Sequence, residues 1–451
     1  MKPKAILDDW QPNLILGIEQ EKAVTPIGFG TRSIKPSARS TEKPILYEDD
    51  APICTVAPTR SGKGRGVLLP NLLRYSGAVY DLDLRGEHTL VAARRRKEMG
   101  QDVYVIDPTN HLDLSSLGLE PAQLNPLDAI QLPAADLEID SASIAEMLSR
   151  GIRGTKEPFW DQKGCGLLQA LILIAASDAD PANRNLGKVA EMLSADDITY
   201  SLAVILDTRG KSLNRTAYQK VAQVLQLPEV TRGGVIGTAQ SYMQALASPS
   251  VLKTLSASSF PLQRIIDGDP LTLFVVVPPS RLHALKGLVK LVFGTIISAI
   301  MCRKHRPSVP SYMALDEVCQ LETFPVLETL MTLCSGYGVR THIFLQDLAQ
   351  LRTHYSESWK TILNNSACIQ TFGINNGELA ADFGRYLDLS ATELMQMGRD
   401  QQALAIQGRG TIRCERLDYL RDAPKRIYDS NPLFEVPRRR KPNSEPAVVA
   451  K

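Results

Sequence analysis

The sequence has little excess charge of either sign. Its 451 residues include 51 Lys and Arg and 49 Asp and Glu, which leaves a formal net charge of +2. This balance excludes a uniformly basic surface of the kind that binds nucleic acid along its whole length. Hydrophobic residues make up 44 % and charged residues 22 %, which is typical of folded domains and excludes a largely disordered chain. The length predicts roughly three domain-equivalents around a large core.

Paired cysteines and metal-ligand patterns are also missing. The seven cysteines are scattered with no CxxC pair, and the six histidines show no metal-ligand spacing. A disulfide-stapled miniprotein is therefore excluded. We expect the thiols to be small buried hydrophobes in a reducing compartment.

Long uninterrupted hydrophobic runs are absent as well. The first 20 residues carry three acidic side chains, which fits neither a signal peptide nor a transit peptide. Residues 167–176 are too few to span a membrane, and 285–301 contain two lysines at helical spacing. Both segments are predicted to be core helices, and we expect a cytoplasmic protein without a transmembrane segment.

The hydrophobic pattern changes character three times along the chain. After an irregular, proline-interrupted start, apolar runs alternate with helix-like segments from residue 53, which is typical of a parallel sheet with crossover helices. Helical signals alone fill the stretch from about 128 to 262. Strand-like runs then return, at 271–277, 311–315, 341–345, 367–372 and 402–406. The pattern predicts an α/β fold whose mostly parallel sheet is interrupted by helices.

A segment that follows the first strand is typical of a phosphate-binding loop. Backbone N–H groups of such a loop surround phosphate oxygens, and its lysine reaches the β- and γ-phosphates. The first glycine of the usual pattern and the final hydroxyl residue, which ligates magnesium, are both replaced here. The alternative is a strand–helix turn with a surface lysine. The segment consists of Ala57, Pro58, Thr59, Arg60, Ser61, Gly62, Lys63 and Gly64.

A second motif ends a later strand. The apolar run 311–315 stops abruptly at Asp316 and Glu317. In a nucleotide hydrolase an aspartate at this place organises magnesium, and the neighbouring glutamate polarises the attacking water. Two acids at a strand end are also common as helix caps. The combination with the lysine loop favours the hydrolase site over the helix cap, because both motifs would meet at the carboxyl edge of one parallel sheet. Together they predict ATP or GTP hydrolysis.

With both motifs placed, the chain resembles the TraG-type coupling proteins of type IV secretion and conjugation, which are related to FtsK/HerA-like translocation ATPases. The resemblance covers roughly residues 50–435 and makes Gly64 a family feature. It implies a RecA-like P-loop fold, a hexameric ATPase and a helical subdomain. The matching segments are 58–64 (PTRSGKG), 83–87 (D-L-R-G-E for the family's D-P-K-G-E), 125–127 (NPL), 159–160 (FW), 254–260, 277–279, 315–317, 336–340, 346–351 and 364–365.

The resemblance also implies residue roles. Lys63 would bind the terminal phosphates of ATP, Asp316 would organise Mg²⁺, and Glu317 would activate water. Gln346 stands where the family has a γ-phosphate-sensing glutamine, the alternative being a polar strand cap. Arg340 is the candidate for the arginine that a neighbouring subunit supplies in such hexamers, the alternative being a plain surface arginine.

The residue pattern and the resemblance together predict an irregular segment at 1–50 that could add an edge strand, a discontinuous RecA-like nucleotide-binding domain, an all-α subdomain at 128–262 and a disordered basic tail at 437–451. The nucleotide-binding domain would combine 51–127 with 263–436.

The implied partners are DNA, single-stranded and held in the lumen of a homohexameric ring, a relaxase or effector protein as substrate, and membrane components of the secretion apparatus. Family members commonly begin with membrane-spanning helices. We therefore expect recruitment to the inner membrane by a partner, or action away from a channel. A stand-alone FtsK/HerA-like DNA translocase and a non-hydrolysing adaptor for effector proteins remain alternatives.

Two basic runs could contact acidic partners. Residues 94–97 could line a nucleic-acid channel, although a solvated helix face is the alternative. Residues 438–441 could contact DNA or acidic lipid, although solvated disorder is the alternative.

Overall fold

One eleven-stranded sheet organises the described part of the chain. The structure is a computed structural model that describes residues 6–20, 42–149 and 158–432. The strand order is β2-β1-β11-β10-β9-β3-β8-β7-β4-β6-β5. The strands are β1 (Leu14–Gln20), β2 (Glu42–Tyr47), β3 (Ile53–Val56), β4 (Val79–Asp83), β5 (Asp102–Ile106), β6 (Leu271–Val276), β7 (Ser311–Leu315), β8 (Val339–Leu345), β9 (Cys368–Thr371), β10 (Gln401–Ile406) and β11 (Gly410–Glu415).

Seven strands, from β9 to β5 in the sheet order, run parallel to one another. Every residue of β3, β4, β6, β7 and β8 is buried, because helices cover both faces of this half of the sheet. The core accordingly forms two clusters, one on each face. The predicted α/β class and the strands expected from residue 53 onward are confirmed.

The other end of the sheet is antiparallel. Residues 1–50 are predicted to be an irregular, extended segment that could add an edge strand, and the structure has two strands there, β1 and the edge strand β2, which pair antiparallel and join the sheet through β11. Pro44 lies within β2, which is tolerated because β2 is an edge strand with one free side. The buried side chains of Leu14, Ile15 and Leu16 anchor β1 in the core.

Seventeen α-helices occur in the described residues, and eight of them lie between β5 and β6. The helices are α1 (Leu69–Leu72), α2 (Glu87–Glu98), α3 (Leu137–Ser149), α4 (Pro158–Ala176), α5 (Leu186–Leu193), α6 (Ile198–Arg209), α7 (Arg215–Leu225), α8 (Glu229–Met243), α9 (Pro249–Thr254), α10 (Gln263–Asp267), α11 (Pro279–Met301), α12 (Leu327–Thr332), α13 (Leu348–His354), α14 (Trp359–Asn364), α15 (Gly377–Leu387), α16 (Ala391–Met395) and α17 (Tyr419–Asp422).

The helix α11 has the length and composition of a membrane span. However, 72 % of its most apolar 18-residue window is buried inside the structure. It packs against α3 and α10 on one face of the sheet. We therefore interpret α11 as a core helix, as the sequence predicts.

The basic run 94–97 lies on α2 and binds the protein itself. Arg96 is fully buried and donates hydrogen bonds to the carbonyl oxygen of Gly77 and to the side chain of Gln101. Arg94 pairs with Asp429. Arg95 and Arg96 are buried and tie α2 to its neighbours, and only Arg94 and Lys97 of this run keep exposed surface. The run 438–441 and the tail 437–451 lie outside the described residues.

Candidate nucleotide-binding site

The predicted phosphate loop forms a tight turn between β3 and the helical segment that leads into α1. Gly62 has a φ of 95°, a conformation that costs glycine little because it lacks a Cβ. The backbone N–H of Ser61 donates to the carbonyl oxygen of Pro58 over 3.2 Å. A single π-helical turn, Gly64–Leu68, follows directly. The loop therefore encloses the N-terminal end of a helical segment, which is the arrangement that binds phosphate.

The ammonium group of Lys63 lies at the centre of this loop. Its Nζ donates to the carbonyl oxygen of Ala57 over 2.8 Å and lies 4.0 Å from Oε1 of Glu317. Burial lowers the pKa of Lys63, while the charges of Asp316 and Glu317 oppose that shift. The carboxylates at the end of β7 therefore lie beside the loop lysine, as the two motifs predict.

The carboxyl group of Asp316 has an unused acceptor. Its Oδ1 is buried and has no hydrogen-bond partner among the described residues. Burial raises the pKa of Asp316 to about 6, the charge of Glu317 adds to this shift, and His88 and Lys63 oppose it. A buried carboxylate oxygen without a donor is a suitable ligand for a hard cation such as Mg²⁺. The residues present therefore fit the ion that the fold family implies.

Two further acids, Asp81 and Asp83, lie on the neighbouring strand β4; Asp83 begins the predicted segment 83–87, whereas the sequence analysis does not predict Asp81. Asp81 Oδ2 accepts a hydrogen bond from His88 Nδ1 over 2.9 Å. Asp83 Oδ2 accepts from the backbone N–H and the hydroxyl of Thr89, both over 2.9 Å. Burial lowers the pKa of His88, but the charges of Asp81 and Asp83 outweigh it and raise the pKa well above its usual value. The signal that could have revealed this group is two acids at alternate positions of an otherwise apolar strand.

The far wall of the cleft comes from β9 and from the segment after β11. The Arg416 guanidinium donates to the carbonyl oxygen of Ser61 and lies 4.5 Å over the ring of Phe372. A Cβ on Gly373, whose φ is 67°, would come within 2.9 Å of Ser61. Sequence reasoning missed Arg416, because β11 carries no clear strand signal and an arginine after it has no motif.

Together these elements line a cleft of about 900 Å³ at the carboxyl edge of the parallel strands. Its walls include all the loop residues from Pro58 to Gly64, with Asp316 and Glu317 opposite. Ala57 lies beneath the loop, fully buried, and its N–H donates to the carbonyl oxygen of Leu345. The structure thus brings together the lysine loop and the Asp-Glu pair.

Two further candidates, Gln346 and Arg340, lie outside the wall of this cleft. Gln346 directly follows β8 at the same carboxyl edge and is half-buried, but it is not part of the cleft wall. Its role as a γ-phosphate sensor stays a prediction.

Arg340 is a correction. It lies at the amino end of β8, opposite the loop, and is only 4 % exposed. Its guanidinium donates to the backbone oxygens of Glu48 and Asp49 and lies 3.2 Å from Asp50. The prediction of Arg340 as an arginine finger, and its alternative as a plain surface arginine, are both wrong, because this side chain is buried and fully engaged within its own chain.

Comparison with known proteins places this site in a family. A family model described as type IV secretory system conjugative DNA transfer matches residues 33–387. The conjugal transfer protein TraG of Escherichia coli is 29 % identical over 322 residues, which are 67 % of this chain and 49 % of that protein. The protein VirD4 of Rhizobium rhizogenes is 27 % identical over 327 residues, covering 70 % and 46 %. The chain therefore spans about half the length of these curated relatives.

Solved structures agree in fold. The conjugative coupling protein TrwBdeltaN70 superposes with a TM-score of 0.65 at 13 % identity, covering 82 % of this chain and 86 % of that one. TrwB in complex with ADP and Mg²⁺ gives a TM-score of 0.63 at 13 % identity, covering 81 % and 85 %. The fold is thus a RecA-like P-loop fold, and the chain belongs to the type IV secretory system conjugative DNA transfer family, the family of TraG-type coupling proteins.

Proposed function

We propose that this protein binds ATP with Mg²⁺ in the cleft at the carboxyl edge, hydrolyses it, and uses the energy to move DNA toward a type IV secretion apparatus. The observation that carries the proposal is the convergence of Lys63, Asp316 and Glu317, from two separate strands, around one phosphate loop. The TrwB structures with ADP and Mg²⁺ and with an ATP analogue support the same ligand class.

The residues divide the work by their chemistry. The Lys63 ammonium would exchange the carbonyl oxygen of Ala57 for oxygens of the terminal phosphates, and backbone N–H groups of the loop would hold the remaining oxygens. Asp316 would hold the magnesium ion through its unpartnered Oδ1. When bound, the ion neutralises charge that develops on the phosphates. Glu317 would orient the attacking water and accept its proton.

The proposal extends to domains and partners. We assign 51–127 and 263–436 to the nucleotide-binding domain and 128–262 to the all-α subdomain. The partners would be single-stranded DNA in the lumen of a homohexamer, a relaxase or effector protein, and membrane components that hold this chain at the inner membrane. An arginine supplied by a neighbouring subunit would have to be one other than Arg340.

The test combines turnover with transfer. The purified protein is assayed for ATP hydrolysis with and without single-stranded DNA, and cells lacking it are assayed for plasmid transfer after complementation. Lys63→Ala should abolish both activities. The matched control is Lys188→Ala, which removes a lysine whose ion pair with Glu191 lies on the surface. Equal, background-level hydrolysis by the wild type and Lys63→Ala would overturn the proposal, and undiminished transfer without the protein would remove its conjugative part.

A further inference from the structure

The loop lacks a side chain at the position after its lysine. In the usual phosphate loop a Ser or Thr hydroxyl stands there and contacts the magnesium ion of the bound nucleotide. Here the residue is Gly64. A Cβ built on Gly64 would lie 3.4 Å from Nε2 of His88. A side chain of the next β–α unit thus occupies the space beside the missing hydroxyl.

A hydrogen bond to β4 fixes the position of His88. The residue lies in the first turn of α2, is 3 % exposed and forms part of the cleft wall. Its Nδ1 is hydrogen-bonded to Asp81 Oδ2 over 2.9 Å and lies 3.9 Å from Asp83 Oδ1. Because Nδ1 is engaged on the β4 side, Nε2 is the ring nitrogen on the side of the loop.

The surroundings favour a ring that carries both protons. Asp81 and Asp83 are buried acids beside the imidazole, and a third acid, Asp316, adds to the negative potential. A doubly protonated imidazole has an N–H donor at Nε2 and no free acceptor. Such a group suits an anionic oxygen, and hydrogen bonds of this charge-assisted kind are the stronger ones.

We propose that His88 is a nucleotide-binding residue whose Nε2–H donates to an oxygen of the terminal phosphate of a bound nucleoside triphosphate, with Asp81 as its positioning residue. The inference rests on the proposed function and deepens it. His88 and Lys63 would then both donate hydrogen bonds to the same phosphate.

The first test measures binding without metal. Fluorescent analogues of ATP and ADP are titrated in EDTA into the wild type, His88→Ala and His88→Gln. Loss of one charge-assisted hydrogen bond should weaken triphosphate binding by about tenfold or more in His88→Ala. Diphosphate binding should change little, and His88→Gln should retain most of the affinity because its amide nitrogen can donate from a similar place. Equal triphosphate affinities for the wild type and His88→Ala would overturn the inference.

The second test exploits the contact with Gly64. In the wild type, Gly64→Ser should reduce ATP turnover, because its hydroxyl competes with the imidazole for the same space. In the His88→Ala background the same substitution should raise turnover, because the usual hydroxyl now has room. The reversal tests whether the hydroxyl and the imidazole share one space, and additive effects would show that they do not; the phosphate contact itself is tested by the binding measurements.

Controls separate the remaining outcomes. Thermal unfolding without nucleotide shows whether His88→Ala is folded. If that variant is unfolded, the binding comparison is made between the wild type and His88→Gln. A loss of magnesium affinity in both His88 variants, with triphosphate binding in EDTA unchanged, would make His88 a metal ligand and overturn the donor role. If the wild type neither binds nor hydrolyses ATP, the proposed function fails first and the inference falls with it.

Discussion

The two edges of the parallel sheet differ in the hydrogen-bond partners of their charged side chains. At the carboxyl edge, Asp316 keeps a buried carboxylate oxygen without a hydrogen-bond partner among the described residues. At the amino edge, Arg303 and Arg340 direct their guanidinium groups onto backbone carbonyl oxygens. The carboxyl edge therefore offers an acceptor beside the cleft that suits a ligand, whereas at the amino edge the protein itself satisfies these two arginines. The difference teaches that an arginine near a nucleotide domain can be structural.

The largest stability effect should follow from breaking the amino edge at Arg303. This buried side chain donates to the carbonyl oxygens of Ile265, Tyr337 and Gly338 and to the hydroxyl of Ser311. Arg303→Ala leaves those acceptors buried without a donor and should lower the free energy of unfolding by about 3–5 kcal/mol. Urea denaturation measures the change.

The matched control for Arg303 is its exposed neighbour. Arg306→Ala removes a half-exposed arginine whose ion pair with Asp50 lies at the surface, so the loss should stay below about 1 kcal/mol. Similar losses in both variants would show that the amino edge gains nothing special from its buried arginine.

The next prediction concerns the carboxyl edge, where neutralising the buried carboxyl group of Asp316 should stabilise the folded protein. Since the pKa of Asp316 is raised to about 6 in the folded protein, the folded state holds its proton more tightly than the unfolded state does. Stability therefore falls as the pH rises from about 4 to about 6, and the cost persists at pH 7. In EDTA, Asp316→Asn should be more stable than the wild type at pH 7 by about 1–3 kcal/mol. With Mg²⁺ present, the same variant should lose ATP turnover.

The pH dependence is the check on Asp316. The stability gain should be largely gone at about pH 4, where the wild-type carboxyl group is protonated in the folded state and about half protonated in the unfolded state. Thermal unfolding at the two pH values in EDTA measures it. A destabilised Asp316→Asn at pH 7 would show that the ionised carboxylate is satisfied without a ligand.

An effect of similar size and opposite sign is expected at Arg340. Arg340→Ala removes hydrogen bonds to Glu48 and Asp49 and an ion pair with Asp50, so unfolding should become easier by about 1–3 kcal/mol. ATP turnover per folded molecule should stay unchanged. The alternative is that Arg340 acts in the site of a neighbouring subunit, and mixed oligomers of Arg340→Ala and Lys63→Ala subunits test it. A loss of turnover beyond simple dilution would restore Arg340 as an arginine in trans.

The sequence predicts the carboxyl edge far better than the amino edge, for a physical reason. Phosphate loops and catalytic acids follow strands directly, so the position of Lys63, Asp316 and Glu317 along the chain determines where they meet. The partners of Arg303 and Arg340 are backbone carbonyl oxygens from distant segments, which no side-chain pattern marks. The same holds for β1 and β2, whose pairing outweighs the prolines around them.

His88 lies between these two cases. Its neighbours Asp83 to Glu87 belong to a segment that resembles a family motif, but its contact with Gly64 depends on how α2 packs beside the loop. A gap in one motif and the group that fills it lie 24 positions apart in the chain. Only the tertiary structure brings them together.

The most direct test of the central claim measures ATP binding and hydrolysis on one variant. Glu317→Gln keeps the shape of the side chain but removes its capacity to accept a proton from water. We expect it to bind ATP in the presence of Mg²⁺ with an affinity close to that of the wild type, while its single-turnover hydrolysis rate falls by about 100-fold or more. Lys63→Ala should lose both binding and hydrolysis. Wild-type hydrolysis by Glu317→Gln would contradict the assignment of the carboxyl edge as the catalytic site.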